Sequence, residues 1–139
     1  MDKPGFLRQA PLFSTLSDEE IRGVLGTAKE RTFPAGAHII RDGHEGGVGF
    51  YLVLSGAAEV RKGSAVLARF GPGDYFGEMA LLLEETPRTA DVFATEPTTC
   101  LAITKWDLRS VIHSHPDVGV KMMAELAKRL RETNEAIEA

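Results

Sequence analysis

The sequence is poor in the residues that make a protein's chemistry obvious. One cysteine, Cys100, is present among 139 residues, which excludes an internal disulfide and a cysteine-built zinc site. Set between Thr99 and Leu101 in an apolar run, it reads as a buried, inert thiol rather than a nucleophile. No stretch approaches the roughly 18 continuous apolar residues of a membrane span, and the opening "MDKPGFLRQ" has no apolar signal region. A cytoplasmic location is therefore expected, with Met1 reading as a native start. Basic residues are not in excess: 16 Lys and Arg stand against 20 Asp and Glu, for a formal net charge of −4. Such a chain gains nothing from attraction to a phosphate backbone, and its one basic cluster, "KRLR" at 128–131, lies in a segment that also carries acids. No repeat, low-complexity tract or linker divides the chain, and its length suits one domain over residues 1–139.

Metal chemistry is also thinly supplied. His113 and His115 make a His-x-His, but just before Pro116, and no carboxylate and third histidine follow at the spacing of a cupin; His38 and His44 are scattered. A catalytic metal generally needs about three protein ligands in one pocket. No catalytic and no metal-binding residue is therefore assigned. A cupin-like, metal-dependent enzyme acting on a small acid stands only as the alternative reading.

What is present falls into three parts. Over 1–31 the pattern is helical: "SDEE" at 17–20 forms a capping box, after which Ile21, Val24, Leu25 and Ala28 make one apolar stripe. Phe6, Leu7, Leu12, Phe13 and Leu16 predict a shorter helix or turn on the same core. Over 32–104 short apolar runs alternate with turn signals ("PAG", "DG", "SG", "KGS", "GPGD"), which leaves sandwich, jelly roll or barrel open. "AAEVRKGSAVLARF" predicts a hairpin turning at Gly63-Ser64, with Val60 and Val66 placed to pack together. Over 105–139 helix returns. "TKWD" caps a short helix with Trp106 expected as a core anchor. Pro116 opens a longer one, in which Met123, Leu126, Leu130, Thr133 and Ile137 match a coiled-coil seam interrupted by one polar residue.

"FGEMALLLEETPRTADVFA" at 76–94 carries the chemistry. It reads as a glycine entering a short helix, which stops before Pro87. The first amides of a helix lack internal partners and hold an anion well, and Gly77 lets a phosphate approach the backbone. Arg88 offers a planar fork for two phosphate oxygens. Glu78 would repel a phosphate unless it accepts hydrogen bonds from a sugar hydroxyl and from Arg88. The constellation suits a compact ligand with one anionic phosphate beside a free hydroxyl. Taken as charges alone, Glu78 and Arg88 would equally make a structural ion pair between helix and strand.

"FGEMALLLEETPRTA" closely resembles the phosphate-binding cassette of cyclic-nucleotide-binding domains, the family of catabolite-activator-type regulators, kinase regulatory subunits and nucleotide-gated channel sensors. "FPAGAHIIRDG", "FYLVLSGAAEV" and "FGPGDYFGE" are similar to that family's strands and turns, as is the spacing of Gly36, Gly43, Tyr51, Gly56, Gly71 and Gly73. "HEGGVGF" departs from it, lacking the acidic-polar pattern before the central strand.

The resemblance implies an α+β, mainly β fold. An antiparallel jelly-roll barrel carries an N-terminal helix, a short cassette helix within 76–90 and two C-terminal helices forming a lid or dimer element. It implies cyclic AMP or cyclic GMP as ligand, with no cofactor and no catalysis. The implied ligand-binding set in the cassette is Phe76, Gly77, Glu78, Met79, Ala80, Arg88, Thr89 and Ala90. Glu78 would sit on the ribose 2′-hydroxyl, Arg88 on the phosphate and Thr89 on phosphate or base. Val60 and Met79 would be apolar walls. Arg129, Leu130, Thr133 and Asn134 of the last helix would meet the base. Thr133-Asn134 favours cyclic AMP, whereas Thr89 suits cyclic GMP. Expected partners are the nucleotide, a second copy through the C-terminal helix and an unidentified effector protein. No helix-turn-helix follows the long helix before Ala139, so DNA is not expected, and neither is a membrane. A cassette that serves only for dimerisation, without ligand, is a further alternative.

Overall fold

The β3 strand, Phe50–Ser55, is apolar at almost every position, and its surroundings explain why. In the computed structural model, which describes residues 3–40, 49–77 and 91–138, β3 lies inside a sheet covered on both faces. That sheet has the order β1-β8-β3-β6, where β1 is Lys29–Phe33, β6 is Tyr75–Phe76 and β8 is Thr98–Ile103. A strand buried on both faces reads as a continuous apolar run instead of an alternation. The second sheet has the order β2-β7-β4-β5, from His38–Ile40, Asp91–Ala94, Ala58–Lys62 and Ala65–Phe70. All described pairings are antiparallel. The architecture is the expected mainly-β α+β fold.

Helices sit on the outer face of the first sheet: α1 (Lys3–Gln9), a 3₁₀ turn at Pro11–Phe13, α2 (Asp18–Thr27), α3 (Lys105–Ser114) and α4 (Pro116–Glu138). Phe50, Leu52 and Leu54 of β3 and Leu101 and Ile103 of β8 meet Leu7, Phe13, Ile21, Val24, Leu108 and Met122 in one buried core. The alternate residues, Tyr51, Val53, Cys100 and Ala102, face inward and pack with Ala58, Val92 and Phe76 in a second, smaller core between the sheets. Period-two geometry thus sends one strand into two cores.

Local chemistry sets the element ends as expected. Ser17 accepts from the Glu20 amide at 3.2 Å while Glu20 Oε1 accepts from the Ser17 amide at 2.8 Å, the complete capping box. Thr104 caps α3 by accepting from the Asp107 amide at 3.0 Å, and α4 starts at Pro116. The β4–β5 hairpin turns at Gly63-Ser64, because Lys62 pairs with Ala65 and Gly63 has φ +60°.

Three expectations are corrected. The turn at Gly63-Ser64 itself puts Val66 opposite Arg61, where it is exposed, and an irregularity between Val60 and Arg61 then carries Val60 to Ala68, so the two valines do not pack together. Trp106 is not a core anchor but 61% exposed. It stands two residues from the buried Leu108, about 200° around the helix at 100° per residue. On α4 the predicted seam divides between two faces. Leu126 packs with Val118 and Met122 on the helix-side core, whereas Met123 and Leu130 are each 62% exposed. The exposed stripe runs Val120, Met123, Ala127, Leu130 and Asn134, a three-four spacing with Asn134, not Thr133, as its polar member.

Candidate functional site

The cassette is entered through a rigid approach. Gly71-Pro72-Gly73-Asp74 closes a turn in which the Asp74 amide donates to the Gly71 carbonyl at 3.0 Å and Gly73 has φ +91°. Proline at the second position and a left-handed glycine at the third define a type II turn. Its flanks are tied to β3: the Gly73 amide donates to the Val53 carbonyl and the Val53 amide to the Asp74 carbonyl, both at 2.9 Å. Tyr75 and Phe76 then pair with Leu52 and Tyr51 as β6.

Phe76 is buried, its ring stacked between Tyr51 at 5.3 Å and Phe70 at 5.1 Å between centroids. Gly77 follows with φ +85°. Only glycine adopts that conformation without a steric cost, and it does so directly after the stacked Phe76. Glu78, Met79, Ala80, Arg88, Thr89 and Ala90 lie outside the described residues. Asp91 opens β7 on the far side of the cassette.

Of the other predicted site residues, Val60 is brought to this place. It projects inward opposite Val92 and packs on the same core as Phe76. Leu130, Thr133 and Asn134 are on the distal half of α4, exposed to solvent, and Arg129 lies on the same turns. Val60 and Phe76 thus share one core, Gly77 follows Phe76 in the chain, and Leu130, Thr133 and Asn134 are exposed on α4.

Two features were missed in the sequence. Phe76 has Tyr51 and Phe70 as partners, which the alternation of β3 and β5 could have indicated. Outside the sheet, on the face opposite Val60, Glu59 is nearly buried between Arg61 Nε at 2.7 Å and Arg69 Nε at 3.1 Å. Hydrogen bonds from Arg61, and then Arg69, hold its carboxyl below the usual range. A glutamate between two arginines on adjacent strands leaves no pattern along a single strand.

Glu20, besides its capping role, accepts from Lys121 Nζ at 2.6 Å and so ties α2 to the first turns of α4. The Lys121 hydrogen bond, followed by the Ser17 amide, lowers its pKa to about 2. Cys100 is fully buried, and desolvation pushes its thiol up to about 12, which removes the thiolate from any chemistry at neutral pH. Among the described residues no three His, Cys, Asp or Glu side chains gather as a metal site, and no helix is long and apolar enough to cross a membrane.

A β-fold with an inward apolar wall and a glycine-led cassette defines a small-molecule-binding module. Residues 30–115 match the family model of the cyclic nucleotide-binding domain, and the chain belongs to that family. It is 36% identical over 133 residues to the cyclic AMP receptor protein of Thermus thermophilus, covering 92% of this chain and 61% of the relative. It is 34% identical over 94 residues to the cGMP-dependent protein kinase of Plasmodium berghei, covering 68% of this chain and 11% of the kinase. Among solved structures it superimposes with a TM-score of 0.87 and 31% identity on the N-terminal domain of a transcriptional regulator from Streptomyces coelicolor A3(2), covering 95% of this chain and 94% of that one. The chain thus spans about three-fifths of the receptor protein's length and a small fraction of the kinase's.

Proposed function

We propose that this chain is the sensing module of a cyclic-nucleotide-responsive regulator, without catalysis of its own, and that cyclic AMP is its preferred ligand. The observation that carries the reading is the left-handed Gly77, anchored by Phe76 at the mouth of a sequence that places Glu78 and Arg88 as sugar and phosphate partners. Thr133 and Asn134 on α4, together with the likeness to a cyclic AMP receptor protein, favour cyclic AMP. Thr89 and the likeness to a cGMP-dependent kinase keep cyclic GMP as the second candidate. In this reading the nucleotide seats its phosphate at the Gly77–Ala80 amides and Arg88, with Val60 and Met79 against the rest. The exposed distal half of α4 then moves onto the base.

Only a differential affinity for two helix positions can drive such a shift, and a coupling of about 1–3 kcal/mol changes partner affinity roughly 5- to 150-fold. The stripe Val120, Met123, Ala127, Leu130 and Asn134 supports a second copy as one partner, read as a coiled-coil seam. An effector protein, in a cytoplasmic setting, would read the movement.

Calorimetric titration with cyclic AMP, cyclic GMP and cyclic dinucleotides tests the reading. Cyclic AMP is expected to bind more tightly than cyclic GMP. Arg88→Ala removes a charge-assisted contact of about 1.5–3 kcal/mol, so affinity should drop roughly 10- to 150-fold. Unchanged affinity in that variant, or no heat with any of these nucleotides, overturns the assignment.

A further inference from the structure

The strands that end the two sheets are not alike. Among the described residues, β1 and β6 end the first sheet and β2 and β5 the second. An end strand presents unpaired N–H and C=O groups to any further chain, and proteins blunt it by shortness or by charge. β6 has two residues and β2 three. β1 has five, but it begins Lys29-Glu30-Arg31 and is exposed along that length. β5 has six, Ala65–Phe70, and runs Ala-Val-Leu-Ala before its first charge at Arg69. All of it before Phe70 is exposed, with Val66 at 45% and Leu67 at 59%. An apolar, solvent-facing edge of this length lacks both devices and is open to strand addition.

One irregularity does mark β5. Leu67 has no partner on β4, because Val66 lies opposite Arg61 and Ala68 opposite Val60. A bulge of this kind twists the edge, which opposes flat stacking of many copies, and re-aims one side chain, here the exposed Leu67. The charges choose the occupant. The chain carries −4 overall, yet β4 and β5 hold Arg61, Lys62 and Arg69 against Glu59 alone. Arg61 and Arg69 both give Nε to Glu59, so one carboxylate is shared between two guanidiniums, and the Arg69 side chain stays 78% exposed on the edge. The next acid across the sheet, Asp91, stands on β7 opposite Arg61, with β4 between it and β5. A second copy would bring the same excess of positive charge to the edge, whereas an acidic strand complements it. We infer that β5 receives an extended, acidic segment of a partner protein as an added strand, with apolar side chains on Val66 and Leu67 and a carboxylate at Arg69. This docking does not depend on the nucleotide reading.

The probe is a short fluorescein-labelled peptide that alternates valine and glutamate, titrated into the full chain and followed by polarisation and by amide hydrogen exchange. Saturable binding is expected, with exchange slowed over Ala65–Phe70. A strand added at an edge turns only every second N–H toward it. N-methylation of one alternate set of peptide amides should therefore abolish binding, and methylation of the other set should leave it. Leu67→Asp should weaken binding at least about tenfold, and Arg69→Gln roughly two- to fivefold, with circular dichroism unchanged in both. Absence of binding, equal binding by the two methylated peptides, or unchanged affinity in Leu67→Asp overturns the proposal. Slowed exchange over Ala65–Phe70 that follows protein concentration without peptide overturns it in favour of a second copy.

Discussion

The β3 and β4 strands are joined by the Gly56 turn but belong to different sheets, and the contrast between those sheets organises the molecule. In the first sheet the central strands β3 and β8 are closed on both faces, by helices outside and by the other sheet inside. The sheet of β4 is closed on its inner face only, and its outer face carries Glu59, Arg61, Arg69 and Phe93. Aromatic rings mark the difference. Phe50 is fully buried, edge-on to Phe13 at 5.3 Å and stacked with Tyr75 at 5.4 Å. Phe76 lies in the smaller core, at the first position of the cassette. The covered sheet is a platform, and the open sheet packs its inner face, with Val60 and Val92, against it.

The most direct way to break this comparison is to make the same truncation in each core. Phe50→Ala should cost about 3–5 kcal/mol in chemical denaturation, because the surrounding helices relax only partly into the void. Phe76→Ala should fall at or below about 3 kcal/mol, and should weaken cyclic nucleotide binding besides, since it frees Gly77. Equal destabilisation with unaltered nucleotide affinity would remove the distinction between platform and wall.

Next in size is the tie between α2 and α4. Glu20→Gln keeps a capping acceptor but loses the charge that Lys121 meets, at a cost of about 1–3 kcal/mol at neutral pH. The Glu20 carboxyl titrates at about 2 in the folded protein against an ordinary 4.5. Its contribution is therefore complete above about pH 4.5 and is lost as pH falls from there toward 2. Denaturation curves of the two proteins should converge across that interval. A gap that stays constant down to pH 2 would show that the pair contributes nothing through charge.

The parts of the fold legible in the sequence are those with local causes. The Ser17–Glu20 box, the Thr104 cap, Pro116 and the Gly63-Ser64 turn each act within four residues, and all appear where expected. What was illegible depends on phase or distance. Trp106 is the largest apolar side chain in its helix, yet the position of Leu108 turns it outward. Two apolar stripes share α4, and the 3₁₀ turn and α3 packed against it decide which is covered. Val60 and Val66 never face one another, because the two-residue turn already sets Val66 opposite Arg61 and the Val60–Arg61 irregularity moves Val60 further, to Ala68. Lys121 lies 101 residues from Glu20, beyond any periodic signal. For the site, Phe76, Gly77 and Val60 have a place in the fold, while the binding roles of these and of Glu78 through Ala90 rest on motif and family.

Gly77 offers a smaller effect that sharpens the comparison at its boundary. Gly77→Ala must hold φ near +85°, which costs a non-glycine residue about 1–2 kcal/mol. It should therefore lower stability modestly while reducing nucleotide affinity, whereas Gly26→Ala, on α2 with open space at its Cβ, should gain stability and leave binding alone. Calorimetry on the pair separates a turn needed by the ligand from a glycine that is merely present.

The smallest effect is expected on the open face itself. Glu59 is held by two arginines whose side chains are largely solvent-facing, 44% exposed for Arg61 and 78% for Arg69, so most of their interaction is screened. Glu59→Gln should lower the melting temperature only slightly, and raised salt should shrink the difference further. Its carboxyl is held below the usual range, so the small contribution is present at neutral pH and fades as acid protonates the group. Because Glu59 points away from Val60 on the same strand, nucleotide affinity should be unchanged. A loss of affinity comparable to that of Phe76→Ala would mean that the open face communicates with the wall behind it, and the two faces of β4 could no longer be treated as independent.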